Sequence, residues 1–459
     1  MNKLYAGFGR VNVTPMMGIP VSGYFVPRYA DGVLDELEIN ALALACGDNK
    51  VVLLSIDNVG IKQDISERFR RHIAEVCDIP FEAIYLHATH THTGPSTRKE
   101  SDRNGADEKA LMADKLVEEY IEFLYHKFAD AAKMAFDDLK PAKMGFAVGK
   151  AANIAFVRRY VMKDGSIKTN PGVNNPDIVR PVGDIDDRVN VLRFDQEGGY
   201  SLVLANVGNH PDVVGGCKIS ADWPGLTRHT FEKAVDNTRC IFFNGCQGDV
   251  NHVNVHPWPG FLNDTFNDFD DVSRGYGHAI HMGRVVAGAI MQVYDKVAYT
   301  DVDSIRFAQK ILQVPSNMPK PEEVPEAIRI NELHKAGRDN ELPYEGMMLT
   351  TVVAEAGRMV RLKDGPESFP MTLSAVAIGN VVLAGIPGEP FNGISVGIKA
   401  AEGWDLILPT CITNGYEGYF PMIDAYQEGG YEARSSGFKA GVAELIIEES
   451  KKLMETLKK

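Results

Sequence analysis

Hydrophobic and polar positions along this chain follow two periods, and each change of period marks a candidate element. "EINALALACGDNKVVLLSIDNVGI" has two apolar runs around a Gly-Asp-Asn turn and predicts a pair of strands. "DISERFRRHIAEVCD" has helical spacing, with Asp64 as a candidate cap. In "AIYLHATHTH" the period returns to two. Alternate residues of an extended chain share a face, so Ile84, Leu86, Ala88, His90 and His92 are expected on one side and His87 on the other. A long helical stretch follows in "EKALMADKLVEEYIEFLYHKFADAAKMAFDDL". Next come strand-like segments in "AKMGFAVGKAANIAFVRRYV", "RVNVLRFDQEGGYSLVLANVGNH" and "CIFFNGCQGDVN". "GHAIHMGRVVAGAIMQVYDKV" and the last 25 residues read as helices.

Residues 313–370 break the pattern, Pro-rich at first and then charged and helical, and read as a cap-like excursion. No repeat, low-complexity linker or domain boundary interrupts residues 1–459, so a single domain is expected. The alternation fits an α/β (mixed α+β) fold in which helices flank mixed sheets. The charge-free stretch "FPMTLSAVAIGNVVLAGIPG" approaches membrane-span length, but its central Gly-Asn and β-branched flanks predict a buried hairpin instead.

Composition narrows the function. The 459 residues are 44% hydrophobic and 24% charged, with 48 Lys plus Arg against 62 Asp plus Glu, a formal charge of −14. So acidic a chain is a poor partner for nucleic acid, whose binding neutralises phosphates with basic side chains. Anionic membranes are disfavoured for the same reason. The six cysteines form no C-x-x-C pair and no disulfide framework. "MNKLYAGFGRVNVTP" enters strand-like sequence without the apolar run of a signal peptide, so a reducing cytoplasm is the expectation.

The candidate chemistry gathers where apolar strands end. "HATHTHTGP" closes one strand on His90 and His92, and "LVLANVGNHPD" closes another on His210. "VVLAGIPGEPF" delivers Glu389, "LILPTCITNGYEGYFP" delivers Tyr416 and Tyr419, and "CIFFNGCQGDVNHVN" delivers Asp249, Asn251 and His252. Connecting loops converge at such ends, which is where ligands bind in α/β folds. Two imidazoles and a carboxylate form a familiar zinc set that leaves a position for water. Each residue has a plainer reading: His210 could cap a turn, Glu389 could complement a helix dipole, and the tyrosines could be core aromatics. Arg158 and Arg159 are an edge pair or a contact for a substrate oxyanion. Asp57 and Asp222 are turn residues or carboxylates that orient histidines.

Taken in order, "GFGRVNVTP", "THTHTGP", "NVGNHPD", "NGCQGDVN", "IPGEPF" and "NGYEGYFP…GGYE" resemble the catalytic domain of the neutral, non-lysosomal ceramidases. The resemblance implies a zinc-dependent hydrolysis of an amide bond. It places the metal on His90, His210, Glu389 and Tyr419. His92 then faces the reacting carbonyl or the zinc water, Arg158 (or Arg159) contacts the carbonyl, and Tyr431 lies in the active site. The family has a serine after the "GDV" of the glycine loop, where this chain has Asn251; an amide still donates there, but a role needing a hydroxyl is lost. Secreted members add a signal sequence and a β-rich C-terminal domain, for which this sequence shows no counterpart. The expected substrate is therefore a small soluble N-acyl compound. The acidic, aromatic loop "HPWPGFLNDTFNDFDD" and the 313–370 excursion are expected to shape its pocket. A zinc esterase or lactonase, or a zinc-retaining binding protein without chemistry, are the competing expectations.

Overall fold

The computed structural model describes residues 3–101, 108–258 and 275–458. Among these residues nine strands form one large mixed sheet. Its main strands are β1 (Leu4–Asn12), β2 (Glu38–Cys46), β3 (Asn49–Ile56), β4 (Ile84–Ala88), β5 (Lys140–Lys150), β6 (Arg188–Gln196), β7 (Ser201–Val207) and β8 (Thr238–Asn244). Their order across the sheet is β8-β7-β6-β5-β1-β2-β3-β4, and the short strand Ala298–Thr300 pairs beside β5. The expected β2–β3 and β6–β7 hairpins are both present and antiparallel. β3 runs parallel to β4, and β7 parallel to β8.

The sheet curls until its two edges meet. Ser55 Oγ on β3 donates to the Phe242 carbonyl on β8 (2.6 Å), and the Asn244 amide donates to His87 Nε2 on β4 (3.0 Å). This closure brings the C-terminal ends of β4, β7 and β8 together.

A four-stranded sheet joins the same core: β9 (Ile305–Pro315), β10 (Ser368–Ile378), β11 (Val381–Gly385) and β12 (Leu406–Thr410). The charge-free stretch is indeed a buried hairpin, β10–β11, turning at Gly379 and Asn380. β9 and β10 stay in register from Ile305↔Ile378 to Pro315↔Ser368. The excursion therefore leaves the sheet after Pro315 and returns at Ser368, a few residues inside its expected bounds.

Helices cover these sheets: α1 (Gln63–Cys77), α2 (Glu108–Asp137), α3 (Asp222–Ala234), α4 (Tyr276–Tyr294), α5 (Val324–Lys335), α6 (Gly346–Leu362), α7 (Asn392–Lys399), α8 (Tyr431–Ser435) and α9 (Val442–Glu455). The early "GFG" exists for α2: a Cβ on Gly7 or Gly9 would sit 2.1 or 2.2 Å from the carbonyls of Ala135 or Ala131. Helix and strand backbones touch there, as only glycine allows. Helix α1 starts one residue before the expected Asp64 cap. Lys62 is its N-cap, and Asp64 complements the dipole from the first turn. Helices α5 and α6 make up most of the excursion, with a small apolar core of their own. All six cysteines are free. No helix among the described residues is long and apolar enough to cross a membrane.

Candidate metal centre and active site

The histidine strand is shorter than its alternation implies. β4 ends at Ala88, and His90 has a left-handed backbone with φ 77°. The shared-face inference fails there, because a positive φ ends the extended geometry on which alternation depends. His87, still on the strand, points into the sheet seam against Ser55 and Asn244. His90 and His92 are loop residues. Thr91 between them and Thr93 just after them turn away, and their hydroxyls donate to the Ser220 carbonyl (2.7 and 3.2 Å). The histidines are left on the opposite side of the loop.

His90 is gripped by the segment after β3. Its amide donates to the Asn58 carbonyl (2.8 Å), and its Nδ1 lies 2.6 Å from the Val59 carbonyl. That carbonyl requires the proton on Nδ1, so Nε2 presents a lone pair. His210, beyond β7, has its Nδ1 3.3 Å from the Gln247 carbonyl. His92 donates its amide to the Pro211 carbonyl (3.0 Å). The three Nε2 atoms converge: His90 to His210 is 3.2 Å, His92 to His90 is 3.3 Å and His210 to His92 is 3.2 Å. Glu389 enters from the loop after β11, with Oε2 3.3 Å from His90 Nε2 and 3.8 Å from His210 Nε2. Its Oε1 accepts from the Tyr416 hydroxyl at 2.8 Å.

Burial drives His92 and His210 towards the neutral form, His210 down to about 3. Burial alone would raise the Glu389 carboxyl, but the positive charge that His90 and His210 can carry outweighs it and holds Glu389 below the usual carboxylate range. Glu389 is therefore a buried carboxylate, and its Oε2 receives no hydrogen bond from the imidazoles it faces. A carboxylate so placed attracts a cation, on the imidazoles or between them. Nitrogens bound tetrahedrally at about 2.0–2.1 Å lie about 3.4 Å apart, close to the spacing found here. The residues fit a metal ion, and His90, His92 and His210 could all reach it.

Beside this cluster lies a second group. Glu389–Pro390 pairs in parallel with Tyr419–Phe420, so Tyr419 stands directly opposite Glu389. The Tyr419 ring is 5.5 Å from that of Tyr431, at the start of α8, and 5.4 Å from the Arg158 guanidinium. Arg158 is buried and anchored by Glu432 (Nε to Oε1, 2.7 Å) and by the Gly248 carbonyl (2.7 Å). Arg159 points elsewhere, to Glu428 (3.0 Å) and the Gly429 carbonyl (3.1 Å). Successive residues of an extended segment face opposite ways, and Arg158 is the one facing Tyr419.

Asn251 lies on a two-residue strand paired with Phe156. Its amide donates to Asn170 Oδ1 (3.2 Å) and its carbonyl accepts from the Val253 amide (3.1 Å), so both polar atoms have protein partners. Asp57 and Asp222 do not touch the imidazoles. Asp57 accepts from Arg228, and Asp222 accepts the Val213 and Val214 amides (2.9 and 3.0 Å). Asp249 accepts the first amide of α7 (Asn392, 2.7 Å), and His252 pairs with Asp212 (3.2 Å). The loop expected at 256–271 lies outside the described residues from 259 onward.

Tyr416, expected beside Tyr419 at this strand end, is the residue that anchors Glu389. Glu432, which anchors Arg158, was not singled out from sequence; its signal was present as the glutamate of "GGYE".

No protein-family model and no curated protein matches the sequence. Solved structures do match. The neutral ceramidase from Pseudomonas aeruginosa superposes with a TM-score of 0.73 and 16% identity, over 100% of this chain and 75% of that one. A ceramidase complexed with C2 gives 0.70 and 17%, over 99% and 76%. This is the ceramidase fold. At such identity the likeness speaks for the ceramidase backbone alone; the chemistry has to be argued from the side chains described above.

Proposed function

We propose that this protein is a zinc-dependent hydrolase of an amide (N-acyl) bond in a small substrate. The observation that carries the reading is the buried Glu389 oxygen, without a donor, facing mutually close imidazole nitrogens. His90, His210, Glu389 and Tyr419 would hold the metal. Bound there, zinc supplies a Lewis acid and a water acidified towards neutrality.

The chain's own groups divide the remaining work. His90 and His210 have their Nδ1 atoms tied to carbonyls, the contact that fixes the tautomer and orientation of a ligand histidine. His92 Nδ1 has no partner among the described residues. That difference supports giving His92 the proton: it would take one at Nε2 from the attacking water and return it to the departing amine, a task for an unanchored imidazole. Arg158, fixed by Glu432 and Gly248, and the Tyr431 phenol donate to the oxyanion, each worth about 3 kcal/mol where such donors are preorganised. Asn251 holds the loop that backs Arg158.

The test is elemental analysis of untagged protein, wild type beside His90→Ala, followed by a screen of N-acyl compounds. About one zinc per chain, lost in the variant, is the expected result. Wild-type protein without zinc, or a His90→Ala variant that keeps it, would defeat the reading.

A further inference from the structure

His92 poses a problem that its two neighbours do not. Its Nδ1 is buried, yet no hydrogen bond there sets the ring's orientation, and the second side-chain torsion of a histidine is intrinsically broad. What holds it is a loop far back in the chain, residues 22–28, "SGYFVPR". Gly23, at φ 108°, comes so close that a Cβ would lie 2.7 Å from His92 Cβ and Cγ. The Tyr24 ring meets the imidazole edge-on, with centroids 5.9 Å apart and planes at 69°. The Arg28 guanidinium stacks 4.0 Å from the Tyr24 centroid. It also donates to the carbonyls of His92 (2.6 Å), Gly216 (2.6 Å) and Ser22. One side chain thus clamps the His92 backbone and the aromatic ring that touches its imidazole.

We propose that Tyr24 and Arg28 are positioning residues for His92, orienting the imidazole by ring contact so that both of its nitrogens stay available. The proposal rests on the hydrolase reading for its consequence, not for its geometry. A hydrogen bond at Nδ1 would fix one tautomer, which suits a permanent ligand. A ring that hands a proton from one partner to the next is better held by its faces and edges. The same loop reaches further: Phe25 stands edge-on to Tyr431 (6.3 Å, 89°) and to His334 on α5 (6.5 Å). His92, Tyr431 and the helical excursion therefore share one support.

Two readouts on the purified protein test this: histidine-labelled NMR, with the His92 signal assigned by its loss in His92→Ala, and steady-state kinetics on an N-acyl substrate. In Tyr24→Leu the His92 ring signal should shift or broaden while that of His87 stays put. The kcat should fall about ten- to a hundredfold with KM within about twofold, as a displaced catalytic group predicts. Tyr24→Phe should retain both properties. Arg28→Lys should resemble Tyr24→Leu, since an ammonium on a flexible stem does not reproduce the planar fork. A His92 signal unmoved in both Tyr24→Leu and Arg28→Lys would overturn the proposal, as would Tyr24→Phe behaving like Tyr24→Leu. If wild type cleaves no amide, the hydrolase reading falls, and the NMR arm still decides the positioning.

Discussion

Two buried polar clusters lie on either side of Asp57, and they solve burial in opposite ways. In the first, Arg228 donates to Asp57 through both terminal nitrogens (3.0 and 2.6 Å) and lies 3.3 Å from Glu38. Arg10 forks onto Glu232 at 2.9 and 2.7 Å and also approaches Glu38 (3.3 Å). Every carboxylate there faces a cation from the same chain. The second cluster begins one residue past Thr89, whose hydroxyl donates to the same Asp57 (3.4 Å). There Glu389 Oε2 faces imidazoles and accepts no hydrogen bond among the described residues. The carboxylates of the first cluster are paired within the chain, and the second cluster could hold an ion. A buried carboxylate oxygen left without a donor is costly, so this difference marks the second cluster as the candidate functional one.

Three substitutions sharpen that contrast. The largest effect is expected at His92. His92→Ala should lower amide hydrolysis about a hundred- to ten-thousandfold, roughly 3–5.5 kcal/mol in barrier, as loss of a general acid–base group does. Bound zinc, measured on the same sample, should stay near one equivalent. Zinc lost along with activity would make His92 a ligand and erase its distinction from His90.

Next comes Arg228→Met, which strands Asp57 as an unpaired buried charge and should cost about 3–5 kcal/mol in urea denaturation. If the two clusters are functionally separate, the protein that remains folded binds zinc normally. A stability change below about 1 kcal/mol would mean that the first cluster is as incomplete as the second.

The smallest effect concerns His87, the histidine of the same segment that serves structure alone. Burial pushes it down to about 3. The unfolded chain therefore takes up its proton near 6.5 while the folded one does not, and stability falls as pH drops below about 6.5. Its share of the slope approaches about 1.4 kcal/mol per pH unit between pH 6 and 5. His87→Gln should flatten the stability–pH curve by that amount, and an unchanged curve would show that His87 takes up its proton in the native state.

Much of this was legible in the chain. The strand pairs around Gly47 and Gly379, the long helix and the excursion all follow from local periodicity, which depends on a residue and its near neighbours. The donor types of the site were legible for the same reason: each closes its own apolar strand. His90 and His92 were legible as a pair but not in their geometry, because nothing local announces a left-handed His90. Tyr416 was legible as a candidate but not as the partner of Glu389, and Glu432 was passed over because it acts on Arg158, a residue distant in sequence.

Sequence by itself therefore determined the elements, their order and the kinds of side chain at the strand ends. Tertiary structure alone decided which of these groups meet. It set His87 against Asn244 and His90 against His210, turned Arg158 to Tyr419 and Arg159 to Glu428, and withdrew Asp57 and Asp222 from the imidazoles. The physical reason is that a side chain's role is fixed by the donor, acceptor or lone pair opposite it. Here those partners lie up to hundreds of residues away, joined only when the curled sheet brings its two edges together.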